Sequence, residues 1–264
     1  MSITVQQVID ALIAPVGKLS DTVDTIKSGR PDDTARRVAV VFTATYAAIE
    51  QAAATGANLI VAHEPTFYNH LDESEWLAGD PVYERKRSLI EKSGITIFRL
   101  HDYVHQYKPD GIVAGMLSKL GWEAYADPDE PTLLTPPPGE ARTVRTIAEE
   151  LKRKLDIDSV QVAGDPDLQV KRFGLAVGAP GGRAQMMYLR ERDIELLIVG
   201  ETNEWETNEY ARDAADMGFA KAIIVLGHQK SEEAGMSTVA SLLREKFPEL
   251  PVDLIESPPA LTRI

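Results

Sequence analysis

The chain contains no cysteine among its 264 residues. That absence excludes disulfides, thiolate nucleophiles and Cys-ligated zinc or iron–sulfur sites, and it is typical of a cytoplasmic protein. No apolar run approaches the roughly 20 residues that a transmembrane helix needs, so no membrane partner is expected. The N-terminal stretch lacks a basic segment before its apolar residues, which favours an amphipathic helix over a signal peptide.

Positive charge is also scarce, because 28 Lys and Arg stand against 41 Asp and Glu, for a formal net charge of -13. This balance argues against a nucleic-acid partner, since binding phosphates requires clustered Lys and Arg. An anionic small substrate is still compatible with the charge if a bound metal supplies the local positive charge.

Short apolar strands alternate with helices along the chain, which predicts an α/β fold with mixed sheets flanked by helices. The predicted strands are Val38–Phe42, Leu59–Ala62, Ile95–Leu100, Ser159–Val162, Phe173–Val177, Leu196–Val199, Ala222–Leu226 and Val252–Ile255. The predicted helices are Thr4–Ala14, Ala47–Thr55, Tyr83–Lys92, Gly111–Leu120, Thr143–Leu155, Ala184–Arg192, Glu206–Met217 and Gly235–Phe247. The polar stretches Ser20–Ala35 and Asn69–Asp80 are predicted loops.

The two halves of the chain resemble each other. VAVVFTAT aligns with FGLAVGAP, ANLIVAHE with IELLIVGE, and ITIFRLH with AIIVLGH. In this alignment Glu64 falls on Glu201 and His101 falls on His228. The repeat predicts two similar α/β lobes with a metal site in the cleft between them. The proline-rich segment 127–140 sets the predicted domain limits, 1–127 with 233–264 for the first lobe and 128–232 for the second.

Four of the five histidines follow predicted strands, and the fifth, His70, lies in a predicted surface loop. A single histidine after a strand is usually a hydrogen-bonded polar residue, but four in such positions indicate a site. Acidic residues accompany them, and imidazole with carboxylate suits Zn, Fe, Mn, Ni or Co. The candidates are His63, Glu64, His101, Asp102, His105, His228 and Glu232.

These residues resemble the Nif-three-like family, also labelled dinuclear-metal-centre proteins or GTP cyclohydrolase type 2 homologues. The segment LIVAHEP is similar to the family's strand ending in His-His-Pro, and Gly200-Glu201 is similar to its Gly-Glu helix start. The family's Gly-His-x-x-Ser-Glu-x-x-Gly signature is present unchanged at 227–235.

The resemblance implies five metal ligands in this chain: His63, Glu64, His105, His228 and Glu232. Glu64 stands where the family has a second histidine, and His105 stands where it has an aspartate. The two departures are complementary, because the set still holds three imidazoles and two carboxylates. We interpret the site as one with exchanged ligand positions.

The resemblance further implies two divalent metal ions per chain (Zn, Fe, Mn or similar) and a metal-dependent hydrolase, either cyclohydrolase-like or phosphoesterase-like. Its substrate would be a nucleotide or a phosphorylated small molecule. Glu201, or His101 if it is not a ligand, would be the catalytic proton-transfer group. The implied homo-oligomer, a toroidal hexamer, suits equally a non-catalytic metal-binding scaffold, chaperone or regulatory protein. A purely structural α/β protein is the third hypothesis.

Overall fold

The protein is described by a computed structural model that covers residues 2–137, 139 and 142–261. Its helices are α1 (Val5–Ile13), α2 (Tyr46–Ala54), α3 (Pro81–Ser93), α4 (Asp102–His105), α5 (Gly111–Leu120), α6 (Val144–Leu155), α7 (Gly182–Glu191), α8 (Glu209–Asp216), α9 (His228–Glu232) and α10 (Gly235–Lys246). Its strands are β1 (Ile26–Ser28), β2 (Val38–Val41), β3 (Leu59–Ala62), β4 (Thr96–Arg99), β5 (Leu133–Leu134), β6 (Arg142–Thr143), β7 (Gln161–Ala163), β8 (Gln169–Val170), β9 (Phe173–Ala176), β10 (Leu196–Val199), β11 (Ala222–Val225) and β12 (Val252–Ile255).

The chain groups by its internal packing into two compact units. The first unit is Met1–Ile112 with Gly235–Ile264, and the second is Val113–Ala234. The predicted limits assign residues 113–127 to the first lobe instead. The difference arises because the apolar residues of α5 after Ile112 pack into the core of the second unit. Pro138 and Glu140 of the predicted boundary segment lie outside the described residues.

The sheet of the first unit has the order β1-β4-β3-β2-β12. Its four strands other than β1 run parallel and in register, and β1 pairs antiparallel with β4 at the edge. Every residue of β2, β3 and β4 is buried, as expected for parallel strands covered on both faces. Ala39 and Ile60 join Ala48, Ile49 and Ile90 of α2 and α3 in one apolar cluster. Helix α10 packs against β2 and β12.

The second unit contains a five-stranded sheet of order β5-β9-β10-β11-β7, with β9, β10 and β11 parallel and both edges antiparallel. Alternate residues of β10 enter different cores, as the two-residue period of a strand requires. Leu196 and Ile198 join the cluster that contains α6. Leu197 and Val199 join the cluster that contains residues of α7 and α8.

The predicted fold class is confirmed, since two similar α/β lobes each carry a mixed sheet flanked by helices. The predicted loop Ser20–Ala35 is wrong in one part, because β1 lies within it. This strand has only three residues and no apolar alternation, so its sequence carries no strand signal. The predicted helix Glu206–Met217 begins instead as a π-helical turn at Glu204–Asn208 and continues as α8.

No helix among the described residues combines the length and the apolar character needed to cross a membrane.

Candidate metal centre

His63 directly follows β3 and is completely buried. The backbone N–H groups of His63 and Glu64 both donate to the Phe42 carbonyl, at 3.0 and 2.9 Å, which fixes the turn after the strand. The His63 Nδ1 atom lies 3.0 Å from the Leu100 carbonyl oxygen. A carbonyl only accepts, so Nδ1 carries the proton and Nε2 presents its lone pair. That Nε2 atom lies 3.8 Å from Glu64 Oε1.

The short helix α4 positions His101 and His105, which are four residues apart and therefore share one helical face. Its start is held by the buried Asp24, whose carboxylate accepts the backbone N–H groups of His101, Asp102 and Tyr103 at 2.8, 3.0 and 2.9 Å. A carboxylate at this end also interacts favourably with the helix dipole. Asp24 therefore anchors the helix that carries both histidines.

Carboxylates orient both of these imidazole rings. His101 Nδ1 donates to Asp102 Oδ1 at 2.9 Å, and Asp102 Oδ2 accepts from Thr22 Oγ1 at 2.8 Å. His105 Nδ1 donates to Asp110 Oδ2, also at 2.9 Å. Metal-ligating histidines usually donate their other ring N–H to a carboxylate or carbonyl in this manner, because the bond fixes the tautomer.

We call His63, His101 and His105 the histidine cluster. Each offers one ligand atom, and these three atoms lie within 4.8 Å of one another. The ring centroids are 4.8 to 5.2 Å apart. With each Nδ1 proton bound to an oxygen acceptor, the three lone pairs are on Nε2. This donor set fits a divalent transition metal.

The electrostatics of the cluster favour a neutral imidazole at His101. Burial lowers the pKa of His101 below its usual value, and the neighbouring His63 and His105 lower it further, against the opposing effect of the Asp102 hydrogen bond. Burial alone would raise the pKa of Asp102, but the hydrogen bonds from His101 and the 22–23 segment hold it below its usual value. The cluster thus pairs a neutral imidazole with an ionised carboxylate, the protonation states that metal binding needs.

The second unit brings together three of the predicted residues. Helix α9 begins directly after β11 and carries His228 and Glu232 one turn apart. His228 Nε2 lies 3.0 Å from Glu232 Oε2, and His228 Nδ1 lies 3.4 Å from Glu201 Oε1. Glu232 is buried, whereas the Glu201 side chain is 56% exposed. One imidazole therefore stands between a buried carboxylate and an exposed one.

Ser231 and two glycines hold this arrangement in place. The buried Ser231 Oγ accepts the Gly178 backbone N–H at 2.9 Å and donates to the His228 carbonyl at 2.7 Å. Gly178 has a φ of 65°, and a Cβ there would overlap the Glu232 carboxylate. A Cβ on Gly200 would overlap the Gly178 backbone. Glycine is needed at both positions because backbone and carboxylate approach so closely.

Several predicted site residues thus lie together within each unit. Asp24, Asp110 and the Leu100 carbonyl are supporting groups that sequence reasoning missed. The ligand assignments, and the catalytic roles of Glu201 and His101, stay predictions. The structure adds that His101 belongs to the same three-nitrogen group as His63 and His105.

The fold and site define a two-lobed α/β protein with a histidine cluster suited to a metal. A family model described as Duf34/NIF3 (NGG1p interacting factor 3) matches residues 13–259. The chain belongs to this family, which confirms the resemblance inferred from the sequence motifs. A search of the curated proteins found no match.

Solved structures share the fold over nearly the whole chain. Staphylococcus aureus protein SA1388 is 15% identical with a TM-score of 0.77, and the match covers 99% of each chain. Protein ybgI, described as of unknown function, is 18% identical with a TM-score of 0.76, covering 97% of this chain and 98% of that one. A Bacillus cereus protein related to NIF3 is 15% identical with a TM-score of 0.74, covering 96% of each. At these identities the likeness shows the fold alone.

Proposed function

We propose that this protein is a metal-dependent hydrolase with a dinuclear divalent metal centre. The observation that carries the proposal is the histidine cluster, in which three Nδ1 atoms are held by oxygen acceptors and one ligand atom of each ring lies within 4.8 Å of the others. The proposed ligands are His63, Glu64, His105, His228 and Glu232. His101 is either a further ligand or a catalytic group.

A divalent ion bound there would lower the pKa of a water molecule and polarise an electrophile. The residues of the chain would position the substrate and move protons. Glu201 is suited to accept a proton, because its exposed carboxylate can reach solvent while its Oε1 contacts His228 Nδ1. His101 is also suited to this role, since its lowered pKa keeps the ring neutral at neutral pH.

The proposed substrate is a nucleotide or a phosphorylated small molecule. An overall charge of -13 repels anions, so such a substrate needs the positive charge of bound metal to approach the acidic surroundings of the site. Cyclohydrolase-like and phosphoesterase-like reactions both fit this chemistry. A homo-oligomer, specifically a hexamer, and a cytoplasmic location are further parts of the proposal that follow from the resemblance and the sequence.

A second candidate is a non-catalytic metal-binding scaffold, chaperone or regulatory protein. One observation favours it: Glu64 Oε1 lies 3.8 Å from His63 Nε2, so this carboxylate could join the three imidazoles. Four protein ligands would complete a tetrahedral site, which is typical of structural metal centres. A metal that retains exchangeable water would favour the hydrolase, and a metal without it would favour the scaffold.

The test begins with protein stripped of metal and reloaded with Zn, Mn or Fe. We expect about two metal equivalents per chain, as implied by the resemblance, and metal-dependent hydrolysis in a screen of nucleotides and phosphoesters. His228→Ala should abolish hydrolysis, whereas Asp167→Asn, which alters an exposed ion pair with Arg145, should not. Hydrolysis that persists in metal-free protein or in His228→Ala would contradict the proposal. The mass of the assembly, measured on the same sample, tests the hexamer.

A further inference from the structure

His70 lies on the exposed loop after β3, outside the predicted ligand set. Its ring nevertheless packs edge-on against the His101 ring, with the centroids 5.4 Å apart and the planes at 81°. The metal-capable groups among the described residues do not include His70. A fourth imidazole thus borders the histidine cluster without belonging to it.

Arg99 determines which nitrogen of His70 carries the proton. This arginine is completely buried, and its Nε donates to the His63 carbonyl at 3.2 Å. Its Nη1 donates to the His70 carbonyl, and its Nη2 lies 3.5 Å from His70 Nδ1. A guanidinium has donors and no acceptor, so the nitrogen that faces it must present a lone pair. In neutral His70 the proton is therefore on Nε2.

This tautomer is opposite to the one in the histidine cluster. The three cluster rings place the N–H on Nδ1 and offer Nε2 as a ligand atom. His70 instead accepts at Nδ1 and donates from Nε2, so its remaining ring nitrogen cannot bind a metal in the neutral state. The same residue type thus has a different chemical role at this position.

The loop that carries His70 is held in shape. The Phe67 backbone N–H donates to Asp72 Oδ1 at 2.8 Å, and Asp72 Oδ2 pairs with Lys27 at 3.2 Å. Tyr68 and Asp72 adopt positive φ values of 60° and 59°. Non-glycine residues rarely adopt this left-handed conformation, so the surrounding contacts must hold it in place. His70 is therefore presented by a constrained loop.

We propose that His70 is a hydrogen-bond donor for an anionic substrate, using its Nε2–H to bind an oxygen of a phosphate-like group held at the centre. Glu64, Asp102 and Asp110 lie beside the cluster and are acceptors, so an oxyanion there needs a neutral or cationic donor. The Arg99 guanidinium is already engaged with protein acceptors. This inference rests on the proposed metal centre and names the substrate group that it would contact.

The first test measures the tautomers directly in metal-free protein. Side-chain nitrogen NMR would be recorded at about pH 8, above the ordinary imidazole pKa of about 6.5. We expect the Nε2–H tautomer for His70 and the Nδ1–H tautomer for His63, His101 and His105. An Nδ1–H tautomer at His70 would overturn the inference, whatever the outcome of metal loading.

The second test compares two substitutions of His70 in metal-loaded protein, with inorganic phosphate as the probe. His70→Gln can place an amide donor near the Nε2 position, whereas His70→Asn reaches only the Nδ1 position. We expect His70→Asn to weaken phosphate binding about tenfold, the effect of one lost hydrogen bond to a charged group. His70→Gln should largely restore the affinity, and metal content should be unchanged in both variants.

The outcomes separate this inference from the proposed function. Loss of metal in His70→Asn would identify His70 as a ligand and overturn its role as a donor. Unchanged phosphate affinity in His70→Asn would overturn it as well. A wild-type protein that takes up no metal would contradict the proposed function, and with it the phosphate contact, while leaving the tautomer assignment to stand on the NMR result.

Discussion

The two units place polar side chains at equivalent positions of a similar scaffold but use different chemistry there. Each unit has three neighbouring parallel strands that follow one another in the chain, β2 to β4 and β9 to β11. The last of the three is followed by a short helix, α4 after β4 and α9 after β11. The first unit gathers three imidazoles, with His63 Nδ1 held by a carbonyl and the other two held by carboxylates. The second unit has one imidazole, His228, between Glu201 and Glu232. The duplicated scaffold determines where the metal-capable side chains lie, and the residue types determine what each position can bind.

The supporting groups differ in the same way. Acceptors such as Asp110 orient the imidazole rings of the first unit, so the positions of these rings depend on hydrogen bonds. Gly178 and Gly200 make room for Ser231 and Glu232 in the second unit. The positions of Ser231 and Glu232 therefore depend on the absence of a Cβ at the two glycines. Different substitutions should therefore disable each unit.

The largest expected effect is the loss of metal on removing one ligand from either unit. His63→Ala deletes a buried imidazole, so we expect loss of bound metal and a decrease of about 1–3 kcal/mol in the free energy of unfolding. His228→Ala should also reduce metal content but cost less stability, since the His228 side chain is 29% exposed. Elemental analysis and urea denaturation measure the two effects. Full metal content in His63→Ala would contradict the role of the histidine cluster.

Gly178→Ala should destabilise the second unit through a steric clash. The new Cβ would meet the Glu232 carboxylate at a positive φ, and we expect a loss of about 2–4 kcal/mol in the free energy of unfolding. Gly56→Ala in the first unit is the matched control, because Gly56 has a φ of 80° and nothing within 4 Å of the added Cβ. That control should cost only about 1 kcal/mol. Equal losses in the two variants would show that close approach to Glu232 is unimportant.

Removing the carboxylate charge that orients the His105 ring should lower the metal affinity of the first unit without abolishing metal binding. Asp110→Asn keeps an acceptor near His105 Nδ1 but makes the imidazole a poorer ligand. We expect metal affinity to fall about 10-fold, the lower end of the usual range for such outer contacts. Isothermal titration with Zn measures this change, with Asp167→Asn as the control. If the His105 ring does not bind metal, Asp110→Asn should have the same Zn affinity as the Asp167→Asn control. That result would contradict the assignment of His105 as a ligand.

The smallest expected effect is a pH dependence that comes from His101. Its pKa is lowered in the folded protein, so between that pKa and about 6.5 the unfolded chain binds more protons. Stability of the metal-free protein should therefore fall as the pH drops below about 6.5, and His101→Gln should reduce this dependence. Denaturation at about pH 7.5 and pH 5.5 checks the sign. Identical dependence in wild type and His101→Gln would exclude His101 as its source.

The sequence was sufficient to predict the parallel strands and the donors that follow them. Continuous apolar runs such as Leu59–Ala62 indicate buried strands, and residues after such strands meet at one edge of a sheet. The alignment of His101 with His228 identified equivalent positions in the two units, and both residues lie at the start of a short helix in the structure.

The contacts of Asp24, the Leu100 carbonyl and Arg99 could not be predicted because they join residues far apart in the chain. Asp24 binds the backbone at 101–103 from a segment without apolar periodicity, where β1 also escaped detection. The Leu100 carbonyl that holds His63 is a backbone group, and backbone acceptors have no sequence signature. His70 lies in a loop, as predicted, but its contact with the buried Arg99 has no sequence signature because Arg99 belongs to β4.

The most direct test of the histidine cluster is a crystal structure of metal-loaded protein with anomalous data at the metal edge. We predict a peak about 2.1 Å from the Nε2 atoms of His63 and His105, with every cluster Nδ1 still bound to its oxygen acceptor. The number of peaks would also count the metals. Loaded crystals without a peak at these nitrogens, or with metal bound through Nδ1, would contradict the account.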